Sequence, residues 1–199
     1  MPRIPKGVPS GEFYSEPRRV APGDERVFSP LAALYRRLFP PEGAVLDLMS
    51  GCLCHLPPEA TYRRVTGIGF DAETLAGNPF LDDWRVQNLN LEPHLPFASG
   101  EFEGAAICSA LPCLTRPIEV LREVGRVLRP GAPLVIAFSR GSFGARTLAC
   151  WRMLDTDGRF KVIRHYLAEA GNWGECDCHS CCKTERPDPL YAVVARSTG

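Results

Sequence analysis

Four cysteines near the carboxyl end, Cys176, Cys178, Cys181 and Cys182, stand in the pattern C-x-C-x-x-C-C with His179 inside it. Thiolates at such spacing supply soft ligands to zinc or another thiophilic ion, although a zinc site more often uses two separated C-x-x-C knuckles. Two further pairs, Cys52 with Cys54 and Cys108 with Cys113, each follow a short apolar run, and Cys150 stands alone. A second chemical signal is Val45-Leu46-Asp47-Leu48-Met49-Ser50-Gly51-Cys52. An acid near the end of an apolar strand, followed by small residues, lets backbone approach a ligand while the carboxylate accepts hydrogen bonds from it. Of the four histidines, His55 is the one candidate general base, because it lies in the loop after that strand. His94, His165 and His179 read as structural or exposed groups.

The elements that must position these residues alternate. Ser29-Pro30 reads as N-cap and first residue of a helix carrying Leu31, Leu34, Tyr35 and Leu38, closed by Pro40-Pro41. Strand-like runs follow at Ala44–Leu48, Arg64–Gly69, Trp84–Leu89, Gly104–Cys108 and Leu134–Phe138. Pro57-Pro58 allows a helical turn, and Asp71 reads as the N-cap of a short helix. Pro117–Leu128 repeats apolar residues at helical spacing and stops at Arg129-Pro130-Gly131. Ser142 caps a helix through Leu154, and another runs from Gly158 to Ala170. Trp173–His179 and Leu190–Ala195 form a terminal antiparallel pair. The expected fold is α/β: a Rossmann-like, mostly parallel sheet with helices on both faces. In such sheets ligands bind beyond the carboxyl ends of the strands, at the topological switch point.

Composition narrows the function. The 199 residues suit one domain, expected at 29–199, with an irregular segment at 1–28 covering the cleft; eight of the 19 prolines fall within residues 1–41. Lys plus Arg and Asp plus Glu both number 23, so no strongly basic nucleic-acid footprint exists. No apolar run reaches membrane-spanning length, and the opening residues lack a secretory apolar core. A reduced, cytoplasmic protein is therefore expected, with nine cysteines not fully paired in disulfides. The G-x-G-x-x-G of nicotinamide dehydrogenases and the P-loop pattern are both absent.

The Val45–Cys52 segment resembles motif I of the S-adenosylmethionine-dependent methyltransferases, class I and type 11 group, usually VLDLGCGxG. Leu95-Pro96-Phe97 with Gly100–Glu103 resembles that family's LPFxxxxFD, and Glu123–Gly131 (EVGRVLRPG) its ExxRVLxPGG. A divergent sub-branch is similar in its LDLMS loop, its His-Leu-Pro (His55–Pro57), its FYxxPR-like start (Phe13 to Arg18) and its acidic-Pro-Leu-Tyr ending (Asp188–Tyr191). The resemblance implies S-adenosylmethionine as cofactor. Asp47 with Met49, Ser50 and Gly51 would cradle its methionine part. The second strand ends in Gly69 where the family has a ribose-gripping acid, with Asp71 two residues on. Asn88, beside Leu89, replaces the third-strand acid that meets adenine, and an amide still both donates and accepts there. Cys108 and Ser109 would stand where cofactor and substrate meet. The implied activity is methyl transfer to a small molecule, with no nucleic acid or membrane partner and no nameable catalytic side chain. The alternative is a non-catalytic protein of this fold, using its pocket or its Cys-rich loop for a soft metal or a partner.

Overall fold

The computed structural model describes residues 25–51, 55–139, 149–181 and 189–199. Seven strands form one sheet in the order β3-β2-β1-β4-β5-β7-β6. They are β1 (Ala44–Leu48), β2 (Arg64–Gly69), β3 (Asp83–Val86), β4 (Gly104–Cys108), β5 (Pro133–Ser139), β6 (Trp173–Ser180) and β7 (Leu190–Ser197). The first five run parallel, and β7 is antiparallel to both β5 and β6. The helices are α1 (Glu25–Leu38), α2 (Ala72–Ala76), α3 (Pro117–Val127), α4 (Ala149–Met153) and α5 (Thr156–Ala170).

Strand alternation divides the core into two layers. Leu46 and Leu48 of β1, Ala105 and Ile107 of β4, and Leu134 and Ile136 of β5 pack with α3 and α5 through Val120, Leu121, Val124, Ile163 and Leu167. Val45, Ala106, Val135 and Ala137 face the other way, onto Leu31, Leu34 and Tyr35 of α1. Helices therefore cover both faces, and β1, β4 and β5 are buried along almost their whole length. Among the described residues no helix is long and apolar enough to cross a membrane.

Several boundaries differ from the sequence reading. The first helix begins at Glu25, so Pro30 lies inside it rather than at its first turn. The apolar stripe of Leu31, Leu34 and Tyr35 holds the helix to the sheet. Pro57-Pro58 makes only a turn, closed by Ala60 N–H on the Pro57 carbonyl at 3.1 Å. Strand β3 stops at Val86, because Asn88 folds its own backbone into a turn: its Oδ1 accepts from Asn90 N at 3.1 Å. Helix α5 starts at Thr156, two residues early, because Asp155 caps it by accepting from Gly158 N at 2.8 Å. The covering segment at the amino end, with Phe13 and Tyr14, lies outside the described residues, as does the start of the helix expected from Ser142.

Two motifs that carried the family resemblance turn out to be architectural. Glu103 accepts from Ala44 N at 2.7 Å and pairs with Arg63 and Arg129, stitching the amino ends of β1 and β2 to the turn after α3. Glu123 accepts from Leu95 N at 2.9 Å and takes both arms of Arg126, whose guanidinium also donates to the Leu95 and Phe97 carbonyls at 3.0 Å. Burial pushes the Glu123 carboxyl upward, but these hydrogen bonds and the Arg126 charge overcome it and hold the group below its ordinary range. The Leu95-Pro96-Phe97 loop is thus clamped onto α3 at a distance from the carboxyl edge of β1.

Candidate functional site

The strand order reverses between β1 and β4, so the switch-point crevice opens at their carboxyl ends. Leu48 pairs with Ile68 of β2 and Ile107 of β4, which brings Met49, Gly69 and Cys108 to one level of that edge. Met49 (φ 53) and Ser109 (φ 56) both adopt left-handed backbone there; Glu42 is the one other described non-glycine residue that does so. A non-glycine residue in this region costs roughly 1–3 kcal/mol, and such strain clusters where backbone must be aimed at a ligand.

Asp47 is the penultimate residue of β1 and only 6% exposed. Met49 turns the chain and packs on the α3–α5 side of the core. Ser50 folds back onto β2, its N–H donating to the Ile68 carbonyl at 2.9 Å. Gly51 borders open space: a Cβ built there would meet nothing within 4 Å. Cys52 and Cys54 lie outside the described residues. Ser109 N–H donates to the Ala137 carbonyl of β5 at 2.8 Å, so the turn after β4 is fixed by the neighbouring strand. Cys108 closes β4 on the α1 side, and Cys113 ends a short 3-10 turn, Leu111–Cys113.

On the β2 side the arrangement departs from the family. A Cβ at Gly69 would lie 2.6 Å from the Ser50 carbonyl oxygen and 3.0 Å from Leu75 Cδ2. The loop after β1 therefore occupies the space that a side chain at the end of β2 would need. Asp71 lies two residues on, at the start of α2. It is the N-cap of α2, accepting from Thr74 N at 2.7 Å, and that hydrogen bond holds its carboxyl below the ordinary range. Asn88 and Leu89 follow β3, with Leu89 buried and the Asn88 amide oxygen committed to its own turn. Gln87 N–H continues the ladder to the Gly69 carbonyl at 2.7 Å, so Asn88 follows directly after the residue bonded to Gly69.

Two asparagines escaped the sequence reading. Asn78, 3% exposed, donates through Nδ2 to the Gly51 carbonyl at 2.9 Å and to Ser50 Oγ at 3.4 Å, while its Oδ1 accepts from Phe80 N. It pins the loop after β1 from the far end of α2. Asn90 donates to the Cys113 carbonyl at 3.1 Å and accepts from Thr115 N at 2.7 Å, joining the loop after β3 to the loop after β4. Neither has a spacing signal, since each acts across a long stretch of chain. Cys176 and Cys178 lie within β6, in the strand expected at Trp173–His179; Cys181 follows the strand, and Cys182 lies outside the described residues. Cys176 pairs opposite Ala195, itself opposite Leu134 near the amino end of β5, so this thiol is far from the carboxyl edge.

His55 is neutral at physiological pH. Desolvation lowers its pKa from 6.5 to about 4. A general base works best with a pKa near the working pH, so His55 is poorly matched to that role. The shift makes it an acid-sensitive element instead. Between about pH 6.5 and pH 4 the unfolded chain binds a proton at His55 that the native chain refuses, so stability is full above pH 6.5 and falls with pH. The loss attributable to this residue is about 1.4 kcal/mol per pH unit, about 3 kcal/mol by pH 4. Urea midpoints measured from pH 7 to 4.5 should show a shallower decline in His55→Phe than in the parent; an identical slope would show that His55 titrates alike in both states.

Comparison with known proteins agrees with this geometry. Residues 48–136 match the family model described as a methyltransferase domain. This segment is similar to a methyltransferase domain. It contains Met49 to Gly51, Gly69, Asp71, Asn88 and Ser109, and its family uses S-adenosylmethionine. No curated protein matches the chain significantly. Among solved structures, an S-adenosylmethionine-dependent methyltransferase from Aquifex aeolicus is 17% identical, with a TM-score of 0.64, covering 95% of this chain and 98% of its own. A chain solved in complex with the Trm112 methyltransferase activator of Haloferax volcanii is 16% identical, with a TM-score of 0.63 and coverage of 89% and 92%. The [4+2]-cyclase SpnF is 15% identical, with a TM-score of 0.61 and coverage of 87% and 81%. At these identities the likeness is one of fold, and the cyclase illustrates that this fold serves more than one chemistry.

The methyltransferase domain fits the cofactor in part. The buried Asp47, the aimed backbone of Met49 to Gly51 and the open space beside Gly51 suit an amino-acid moiety carrying an ammonium group. The Gly69 position offers no carboxylate to a ribose.

Proposed function

We propose that the protein transfers a methyl group from S-adenosylmethionine to a small-molecule acceptor. The observation that carries this reading is the pair of left-handed residues, Met49 and Ser109, ending the two strands that flank the switch point. When bound, S-adenosylmethionine supplies an electrophilic methyl group on a sulfonium. Asp47 and the backbone of Met49, Ser50 and Gly51 hold the methionine part, with Asn78 fixing that loop. Asn88 and Leu89 border the adenine, and Asn90 ties their loop to the one after β4. Gly69 contributes close approach of backbone rather than a ribose contact, and Asp71 supports it through α2. Cys108 and Ser109 line the side of the crevice toward β5, where the acceptor enters.

Methyl transfer is a displacement that gains most from alignment and water exclusion, so no acid–base side chain is required. Zero net charge fits a small acceptor better than a nucleic acid. Calorimetry with S-adenosylmethionine and S-adenosylhomocysteine tests the reading. Saturable one-to-one binding of both is expected, and no heat at millimolar cofactor would overturn it.

A further inference from the structure

The outermost strand β6 carries Cys176 and Cys178, whose side chains share one face because they are two residues apart. α5 covers that face at Cys176 and leaves Cys178 exposed: Cys176 packs against the α3–α5 core, and Arg164 of α5 donates Nε to Cys176 Sγ at 3.4 Å and Nη2 to the Cys176 carbonyl at 3.2 Å. Arg164 is held above its ordinary pKa first by the hydrogen bond to Cys176, then by the charges of Cys176, Cys178 and Asp177. Cys178 is pushed up by burial, with Arg164 opposing and Cys176 adding repulsion. Arg164 thus lies against the Cys176 sulfur, with Cys178 two residues along the same face of the strand.

Geometry selects among the chemistries open to two thiols. Strand residues two apart are separated by about 6.6 Å with near-parallel Cβ directions. A disulfide needs Cβ atoms within about 3.5–4.5 Å, so these sulfurs reach each other only through an intervening atom. Structural zinc takes four ligands, and among the described residues no group of three or more His, Cys, Asp or Glu could hold a metal. Cys181, the nearest other described thiol in sequence, packs on the opposite face. Two thiolates alone suit a soft ion of low coordination number. With a monovalent ion they leave one negative charge, which Arg164 balances; with a divalent ion the complex is neutral and the guanidinium has no counterpart.

We propose that Cys176 and Cys178, with Arg164 as counter-charge, form a two-coordinate site for a monovalent soft cation, copper(I). Binding replaces two S–H bonds by two Cu–S bonds and releases both protons to solvent. Cys178 pairs opposite Val193, itself opposite Ile136 in the middle of β5, so the site is separate from the crevice and independent of methyl transfer.

The test is anaerobic titration of the full-length, ascorbate-reduced protein with copper(I) against a chromophoric chelator. Because other thiols also bind copper, the readout is a difference. The Cys176→Ser/Cys178→Ser variant should bind one copper fewer than the parent, and so should Cys178→Ser alone, at an exposed position that leaves the fold intact. Arg164→Met should keep the stoichiometry and weaken the site up to about fivefold, the scale of an exposed ion pair, with Arg164→Lys recovering part of it. Equal copper counts in parent and either cysteine variant would overturn the proposal. So would an unchanged affinity in Arg164→Met, or the same parent-to-variant difference with zinc.

Discussion

Replacing Asp47 by alanine should weaken S-adenosylhomocysteine binding about 10- to 100-fold, with a smaller loss in Asp47→Asn. A hydrogen bond to a charged group contributes about 1.5–3 kcal/mol, which converts to that range. Asp47 is 6% exposed at the carboxyl end of a strand whose other residues are all buried. A cationic ammonium group seated against a carboxylate this shielded from water would make a charge-assisted hydrogen bond with it. Calorimetry on the parent and both variants, with melting temperatures alongside, separates binding from folding. An affinity within twofold of the parent in Asp47→Ala would show that the residue serves the strand rather than a ligand.

The second expected result concerns the position where this chain departs from its family. Gly69→Asp supplies the acid that most relatives would use, yet it should neither tighten cofactor binding nor leave the fold untouched. A Cβ there lies 2.6 Å from the Ser50 carbonyl oxygen, which is backbone and cannot rotate away, and 3.0 Å from Leu75. Ser50 is itself held by its ladder bond to Ile68, so relief means moving the loop that follows β1. Overpacking of this kind costs about 3 kcal/mol, roughly 6–12 °C in melting temperature for a chain of this size. Gly69→Ala should destabilise almost as much, since the clash begins at Cβ, whereas charge effects appear only in the aspartate. A Gly69→Asp protein with an unchanged melting temperature and tighter binding of S-adenosylhomocysteine would refute the close approach and restore the ordinary ribose contact. The missing acid and the inward loop are two sides of one local solution, so a single substitution cannot undo it.

Much of the fold was legible because its signals are local. Apolar runs bounded by turn residues marked the central strands, Pro117 marked a helix start, and the spacing of Ile118, Leu121 and Val124 marked the face of α3. Each depends on periodicity within one turn or one pleat. Boundaries failed where a side chain decided them: Asn88 ended β3 by bonding its own backbone, and Asp155 started α5 two residues early by capping it. The candidate site divided in the same way. Asp47, Met49, Ser50, Gly51 and Asp71 could be singled out because their order along the chain resembles a motif. Asn78 and Asn90 could not, because their partners lie 27 and 23 residues away.

By itself the sequence determined the class of sheet, the strand that bears the acid and the balance of charge, since these follow from residue type and short-range order. Only the tertiary structure decided three things. It placed the backbone of Ser50 against Gly69, gave the two family motifs at Glu103 and Glu123 to architecture rather than to the site, and set Cys176 of β6 beside Arg164 of α5. All three depend on which strands become neighbours and which faces are covered, and no local pattern encodes that.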